Sequence, residues 1–389
     1  MSTPSEEEPY TGPPPTRPPD GAPPGWYGPP AYPAGPPPGW AVPAPYGYPP
    51  PAPVILRWEP PPGTPPHDEP RPFLRAMRSR TWAWWRPVAG LALLAVVYGV
   101  AAAAVVLVAL VTGVTPDLAL LNLVDPWVLL VTNISLILFI PCVWLAWAVA
   151  HGMRIGWSAS VLARIRPRLF VPYVQIALVT LGVGIVLSVA VGVLLDPASI
   201  SGPVPHLGWL LLVVILTTPL QSAAEEYLFR GYLSQTIAGW FRSERLGAVG
   251  AAVVTAAAFS LAHAPPDFWT FLDRFLFALA ASATVWLTGG LEAAIVLHAV
   301  NNVLVFALAG LLGDGIATDE APSGTGLLFV LITAVSMAGY VALVARSRER
   351  LRPERWTAAL DLRPPEPRPS GGPPGPVPVP WHPVPLPGG

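Results

Sequence analysis

Residues 88–113 read VAGLALLAVVYGVAAAAVVLVALVTG, an apolar run without one charged side chain. At ~1.5 Å per residue a helix of this length covers the ~30 Å hydrocarbon core of a bilayer, so the run predicts a transmembrane helix. Further stretches at 127–150, 170–195, 208–238, 246–264, 270–289, 291–312 and 325–345 are long and apolar enough, or nearly so. The sixth and seventh are separated only by Gly289-Gly290. The expected fold is therefore all-α: an integral membrane bundle of about eight transmembrane helices, whose backbone polar groups are satisfied within each helix. Composition agrees, because 12% charged residues is about half the share usual in a soluble globular protein.

Outside the bundle the composition changes. Of 54 prolines, 27 fall within residues 1–70 and 13 within 353–389. Runs such as Pro13-Pro14-Pro15 and Pro36-Pro37-Pro38 have no apolar periodicity and predict disordered, partly polyproline arms over 1–83 and 347–389, flanking a membrane domain over 84–346. Such arms are solvated spacers or ligands for a polyproline-binding partner. No basic segment followed by an apolar stretch opens the chain, so no signal peptide is expected. Every basic residue is Arg, and a net charge of −1 argues against a nucleic-acid partner. The single cysteine, Cys142, excludes an intrachain disulfide and a cysteine metal cage.

The connecting segments predict orientation. Arg71 to Arg86, Arg154 to Arg168, Arg242 with Arg245, and Arg346 to Arg352 all fall on one side of an alternating eight-helix topology. Asp117, Asp125, Asp196, Asp314, Asp319 and Glu320 fall on the other. Basic loops stay in the cytoplasm, so a multi-pass cell-membrane protein with both termini cytoplasmic is expected.

Ionisable groups inside membrane helices are costly and call for partners or a function. Helix four carries Gln221, Ser222, Glu225, Glu226 and Arg230; helix five ends Phe259-Ser260-Leu261-Ala262-His263; helix seven carries His298 and Asn302. Glu226 and Arg230, four apart, share a helix face and form an ion pair in the favourable order. Glu225 turns away without a local counter-charge, as a general base would. Read separately, the two acids are also compatible with snorkelling to the headgroups. His298 with Asn302 is compatible with an interhelical staple, and His263 with a helix end touching water. Together, a carboxylate, two imidazoles and an amide suit attack of water on a carbonyl, or ligation of one metal ion. Simple helix crossings put His263 near the outer face and Glu225 and His298 toward the cytoplasmic half. A common site then requires a tilt of helix five, a later start to it, or a kink at Pro219.

These residues resemble a known family. Glu225-Glu226-Tyr227-Leu228-Phe229-Arg230, Phe259 to His263, and His298 to Asn302 are similar, in order, to the three motifs of the CAAX protease and bacteriocin-processing intramembrane proteases, which include the type II prenyl-protein endopeptidase. The resemblance covers roughly 208–312. It implies a helical bundle around a cavity and endopeptidase cleavage of a membrane-associated protein or peptide. Glu225 would activate water with His263 assisting, Glu226 and Arg230 would hold the helix and orient the base, and His298 and Asn302 would stabilise the oxyanion. No cofactor is expected; the alternative is zinc on Glu225, His263 and His298. The alternative function is a non-catalytic scaffold or bacteriocin-immunity protein acting through its arms.

Overall fold

Runs of leucine, valine and alanine that cannot pair with water can satisfy their backbones only as helices, and the described residues do so eight times. The computed structural model describes residues 63–114, 122–197, 200–313 and 324–363. They form α1 (Arg86–Val111), α2 (Pro126–His151), α3 (Pro167–Leu195), α4 (Leu207–Trp240), α5 (Glu244–Ala262), α6 (Phe268–Thr288), α7 (Glu292–Leu312) and α8 (Gly326–Leu351), each long and apolar enough to cross a membrane. The chain is a multi-pass membrane protein. Among the described residues there is no strand, only two isolated bridges.

Local chemistry sets the helix ends. Asp125 accepts from the backbone of Trp127 and Val128 at 2.9 Å ahead of α2, Asp267 from Trp269 and Thr270 ahead of α6, and Ser243 from Leu246 ahead of α5. Gly289 ends α6 at φ +71°, where a Cβ would also press on the Glu354 carbonyl at 2.5 Å. The outward faces of α1, α3 and α8 are lined with exposed valine and leucine such as Val100, Val183 and Val335, the surface that a bilayer covers. Inside, α4 packs against α7 and α2, α3 against α7 and α8, and α6 against α5 and α8. Of the helices bearing the candidate residues, α4 and α7 are thus central, while α5 packs against α6 and the end of α4.

The four arginine-bearing segments meet at one end, as the alternating topology requires. Arg86 donates to the His151 carbonyl at 3.0 Å, Arg75 to that of Arg242 at 3.1 Å, and Arg168 to that of Leu351 at 2.6 Å. At this end Arg166 and Glu292, both fully enclosed, form a two-pronged ion pair: Nε to Oε1 at 2.9 Å and Nη2 to Oε2 at 2.6 Å. Arg166 also donates to the carbonyls of Thr288 and Glu354, at 3.1 and 2.8 Å. One guanidinium therefore ties together the loop before α3, the α6–α7 turn and the segment after α8.

Packed chain extends further at both ends than expected. Phe73, Leu74, Ala76 and Met77 are buried, and Met77 N–H donates to Gln235 Oε1 at 3.1 Å while Arg78 Nε donates to the Gly239 carbonyl at 2.7 Å. The segment after α8 lies beside them: Thr357 N–H donates to the Arg71 carbonyl at 2.8 Å and Leu360 N–H to that of His67 at 3.0 Å. The expected boundaries at 83 and 347 therefore cut through packed chain. Short length hid the apolar cluster Phe73 to Met77, and the segment after α8 is held by backbone hydrogen bonds that composition does not reveal. Residues 1–62 and 364–389, and the acids Asp117, Asp314, Asp319 and Glu320, lie outside the described residues.

Two outcomes follow. Glu292→Gln leaves Arg166 buried with half its counter-charge and should cost about 3–5 kcal/mol, read as a large fall in the detergent melting temperature. His67 is enclosed, with Nε2 donating to the Ala76 carbonyl at 2.7 Å, and burial pulls its imidazole below the ordinary value. The released segment takes up a proton first, so docking is complete above about pH 6.5 and weakens as pH falls below it. Trypsin cleavage between Arg71 and Arg80 should accelerate on acidification, and His67→Gln should flatten that profile.

Candidate active site

Helix α4 is not uniform. Pro219 removes one backbone donor within it, and Asn133 of α2 bonds the adjacent Thr217 and Thr218 hydroxyls at 2.7 and 3.1 Å. From Tyr227 to Leu233 the helix widens to π geometry, with the Ser234 hydroxyl donating to the Phe229 carbonyl five residues back at 2.9 Å. Glu225 and Glu226 stand immediately before this widened turn and Arg230 stands within it. All three are buried, so the two acids do not snorkel to a headgroup layer.

Glu226 Oε1 is shared. It accepts from Arg230 Nη1 at 2.9 Å and lies 2.9 Å from His298 Nδ1. Since a carboxylate engaged by a guanidinium can only accept, Nδ1 of His298 carries a proton and donates it, which turns Nε2 toward Glu225 Oε2 at 3.7 Å. Arg230 Nη2 donates to the Ala278 carbonyl of α6 at 2.8 Å, and the guanidinium lies 5.1 Å from the Phe259 ring of α5. Glu225 Oε1 accepts from Gln221 Nε2 at 2.6 Å, and Gln221 Oε1 in turn meets Asn302 Nδ2 at a long 3.5 Å. Glu225 Oε2 is buried and has no hydrogen-bond partner among the described residues. Glu225, Glu226, Arg230, His298 and Asn302 are thus brought together across α4 and α7.

His263 is not joined to that network by a hydrogen bond. It is exposed at the C-terminal end of α5, where its Nδ1 donates to the Phe259 carbonyl at 2.8 Å. Its ring lies 4.6 Å from the Phe259 ring, which itself meets the His298 ring edge-on at 5.6 Å. One aromatic ring therefore separates the two histidines. The expected mismatch in depth largely vanishes because the α4–α5 hairpin projects beyond its neighbours. Glu226 and Phe259 each lie about 21–23 Å from that hairpin at ~1.5 Å per residue, whereas His298 lies only about 9 Å from the start of α7. The exposed hairpin end is the surface on which Phe73 to Met77 pack.

Residues 206–304 match the family model described as type II CAAX prenyl endopeptidase Rce1-like. This stretch belongs to the Rce1-like family. It makes up about a quarter of the chain and spans α4 to α6 with most of α7, so it holds every residue of the three motifs. No curated protein and no solved structure matches the chain.

Within the Rce1-like region, Gln221 has a place that the motifs do not mark. It bridges the first and third motifs, and its only sequence signal is the four-residue spacing to Glu225 on one helix face. The donor set Glu225, His263 and His298 does not converge as zinc ligands would: the Phe259 ring separates the two histidines, and among the described residues no three His, Cys, Asp or Glu side chains are grouped. A 510 Å³ apolar cleft lies alongside, between α2, α3, α4 and α7; Ala223, Tyr227, Ala299 and Val300 line it, but none of the motif acids, histidines or Asn302 does.

Removing one partner of the Glu226–Arg230 pair strands the other charge. Arg230→Met and Glu226→Leu should each lower stability by about 3–5 kcal/mol, with the double variant clearly less destabilised than the sum. A double-mutant cycle of detergent melting temperatures reads this coupling.

Proposed function

We propose that the protein is an intramembrane endopeptidase that hydrolyses a peptide bond of a membrane-associated protein or peptide with water activated at Glu225. The observation that carries this reading is the unequal use of two adjacent acids. Both acids keep a buried Oε2 without a hydrogen-bond partner, but Glu226 Oε1 holds the Arg230 guanidinium and the His298 ring, whereas Glu225 accepts only from the neutral Gln221 amide and has its free Oε2 3.7 Å from the His298 ring. The endopeptidase description of the matching family supports the same reaction class.

Glu225 Oε2 takes a proton from the water whose oxygen attacks the scissile carbonyl, and the protonated carboxyl then returns it to the leaving nitrogen. The Gln221 amide on Oε1 orients the carboxylate so that Oε2 faces the reaction. His298, held through Nδ1 by Glu226, and the Asn302 amide face the developing oxyanion. Exposed His263, with Nδ1 committed to its own helix, offers Nε2 as a relay for protons between solvent and the site. Every step runs on the chain's own residues.

The usual distribution of basic residues supports a cytoplasmic arginine-bearing end, and with it cytoplasmic termini. The proline-rich arms there are offered to a polyproline-reading partner.

Native membranes carrying the wild type and Glu225→Gln are compared by mapping newly formed peptide amino termini. Glu225→Gln should lower the rate of wild-type-specific cleavage by about 10²–10⁴-fold with the melting temperature unchanged. Cleavage that persists in Glu225→Gln overturns the proposal. A scaffold or immunity protein acting through its arms gives the opposite pattern, a silent Glu225→Gln and a decisive arm deletion.

A further inference from the structure

Arg348, Arg352 and Arg355 line a 320 Å³ hollow at the end of α8, together with Ala345, Glu349 and Pro353. None of the three arginines makes an ion pair among the described residues, although six other arginines do. The Nε atoms of Arg348 and Arg355 are buried and have no hydrogen-bond partner there. Burial, and then the Arg348 charge beside it, pull the Arg355 guanidinium below its usual value. Like charges are thus held together with one acid, Glu349, on the rim. Glu354, the other acid nearby, is turned toward Arg166 and Arg168, at 3.5 and 2.9 Å.

The position in the bundle is as informative as the charge. Leu343, one to two turns before the hollow, faces outward with the apolar side of α8, and Trp356 just beyond it is half exposed, as aromatic side chains are at a membrane interface. The hollow therefore sits at headgroup depth. The carbonyls at the C-terminal end of α8 would disfavour an anion. Arg168 covers them, donating to Leu351 and Arg352 at 2.6 and 3.3 Å.

We propose that Arg348, Arg352 and Arg355 form a binding site for a phosphate group, held by their planar guanidinium forks at the membrane surface. Planar forks match phosphate oxygens in pairs, and clusters of arginine at the arginine-rich face of a membrane protein attract anionic lipid headgroups. The same chemistry would hold inorganic phosphate. The site is separate from the α4–α7 network and independent of the proposed peptidase activity.

The full-length protein in nanodiscs is tested for retention of phosphatidylglycerol against phosphatidylcholine by native mass spectrometry, and in neutral detergent for stabilisation by inorganic phosphate. Arg348→Gln/Arg355→Gln is compared with Arg346→Gln/Arg350→Gln, which removes the same charge from exposed positions outside the hollow. The first variant should weaken phosphatidylglycerol retention about thirtyfold and the second only severalfold. If phosphate stabilises the wild type and phosphatidylglycerol is not preferred, the ligand is soluble phosphate at the same site. Equal losses in both variants, or neither ligand favoured by the wild type, overturn the proposal. Should the glutamine variant unfold in phosphatidylcholine nanodiscs, Arg348→Lys/Arg355→Lys decides: it keeps the charge but lacks the forks. Affinity lost severalfold then supports the site, and affinity retained overturns it.

Discussion

A carboxylate enclosed among apolar helices must be neutralised, and Glu226 Oε1 meets that demand with two donors from different helices, Arg230 and His298. Much of the centre of the bundle follows from this one oxygen. Arg230 can reach it while also serving the Ala278 carbonyl of α6, because the chain widens into π geometry from Tyr227 onward. His298 can reach it only if α7 lies against α4, the most extensive helix pairing in the molecule. The charge constraint and the packing of the bundle are thus one arrangement. Unpaired, Glu226 would carry a desolvation cost of several kcal/mol, comparable to the whole stability of an ordinary domain.

The pairing of Glu226 with Arg230 gives Glu225, which has no such counter-charge, its distinct character. The two acids are adjacent and chemically identical and each keeps a buried Oε2 without a hydrogen-bond partner, yet one holds a guanidinium and an imidazole on its Oε1 and the other only a neutral amide. Division of labour between neighbouring carboxylates by environment alone is a recurring way to separate a structural charge from a reactive one. Gln221 contributes by fixing the opposite Glu225 oxygen, and it reaches toward Asn302 on the same side of α7.

A second buried ion pair, Arg166 with Glu292, serves a different purpose at the arginine-bearing end. It holds the start of α7 against the loop before α3 and the segment after α8. His298 is less than two turns from Glu292 along a rigid helix, so the clamp and the candidate site share one element. The packed segments at 67–77 and 356–360 complete this end and cover the hairpin that projects beyond the bundle.

Eight helices, their boundaries to within a few residues and the pairing of Glu226 with Arg230 were legible in the sequence, since span length, apolar runs and i,i+4 spacing are local properties of the chain. The three short motifs were legible for the same reason, as was their family. What lay beyond reach was every relation between helices. No spacing within α4 or α7 announces that His298 meets Glu226 rather than Glu225, or that Gln221 joins Asn302. Nor does local spacing show that Arg166 finds Glu292 across more than a hundred residues. Short length concealed the anchoring of Phe73 to Met77, a four-residue apolar cluster. Helix lengths alone leave open how His263 stands to Glu225 and His298; the packed bundle brings the two histidines to either side of the Phe259 ring. Local sequence determines which segments cross the membrane, whereas the need to neutralise buried charge in three dimensions decides which side chains meet.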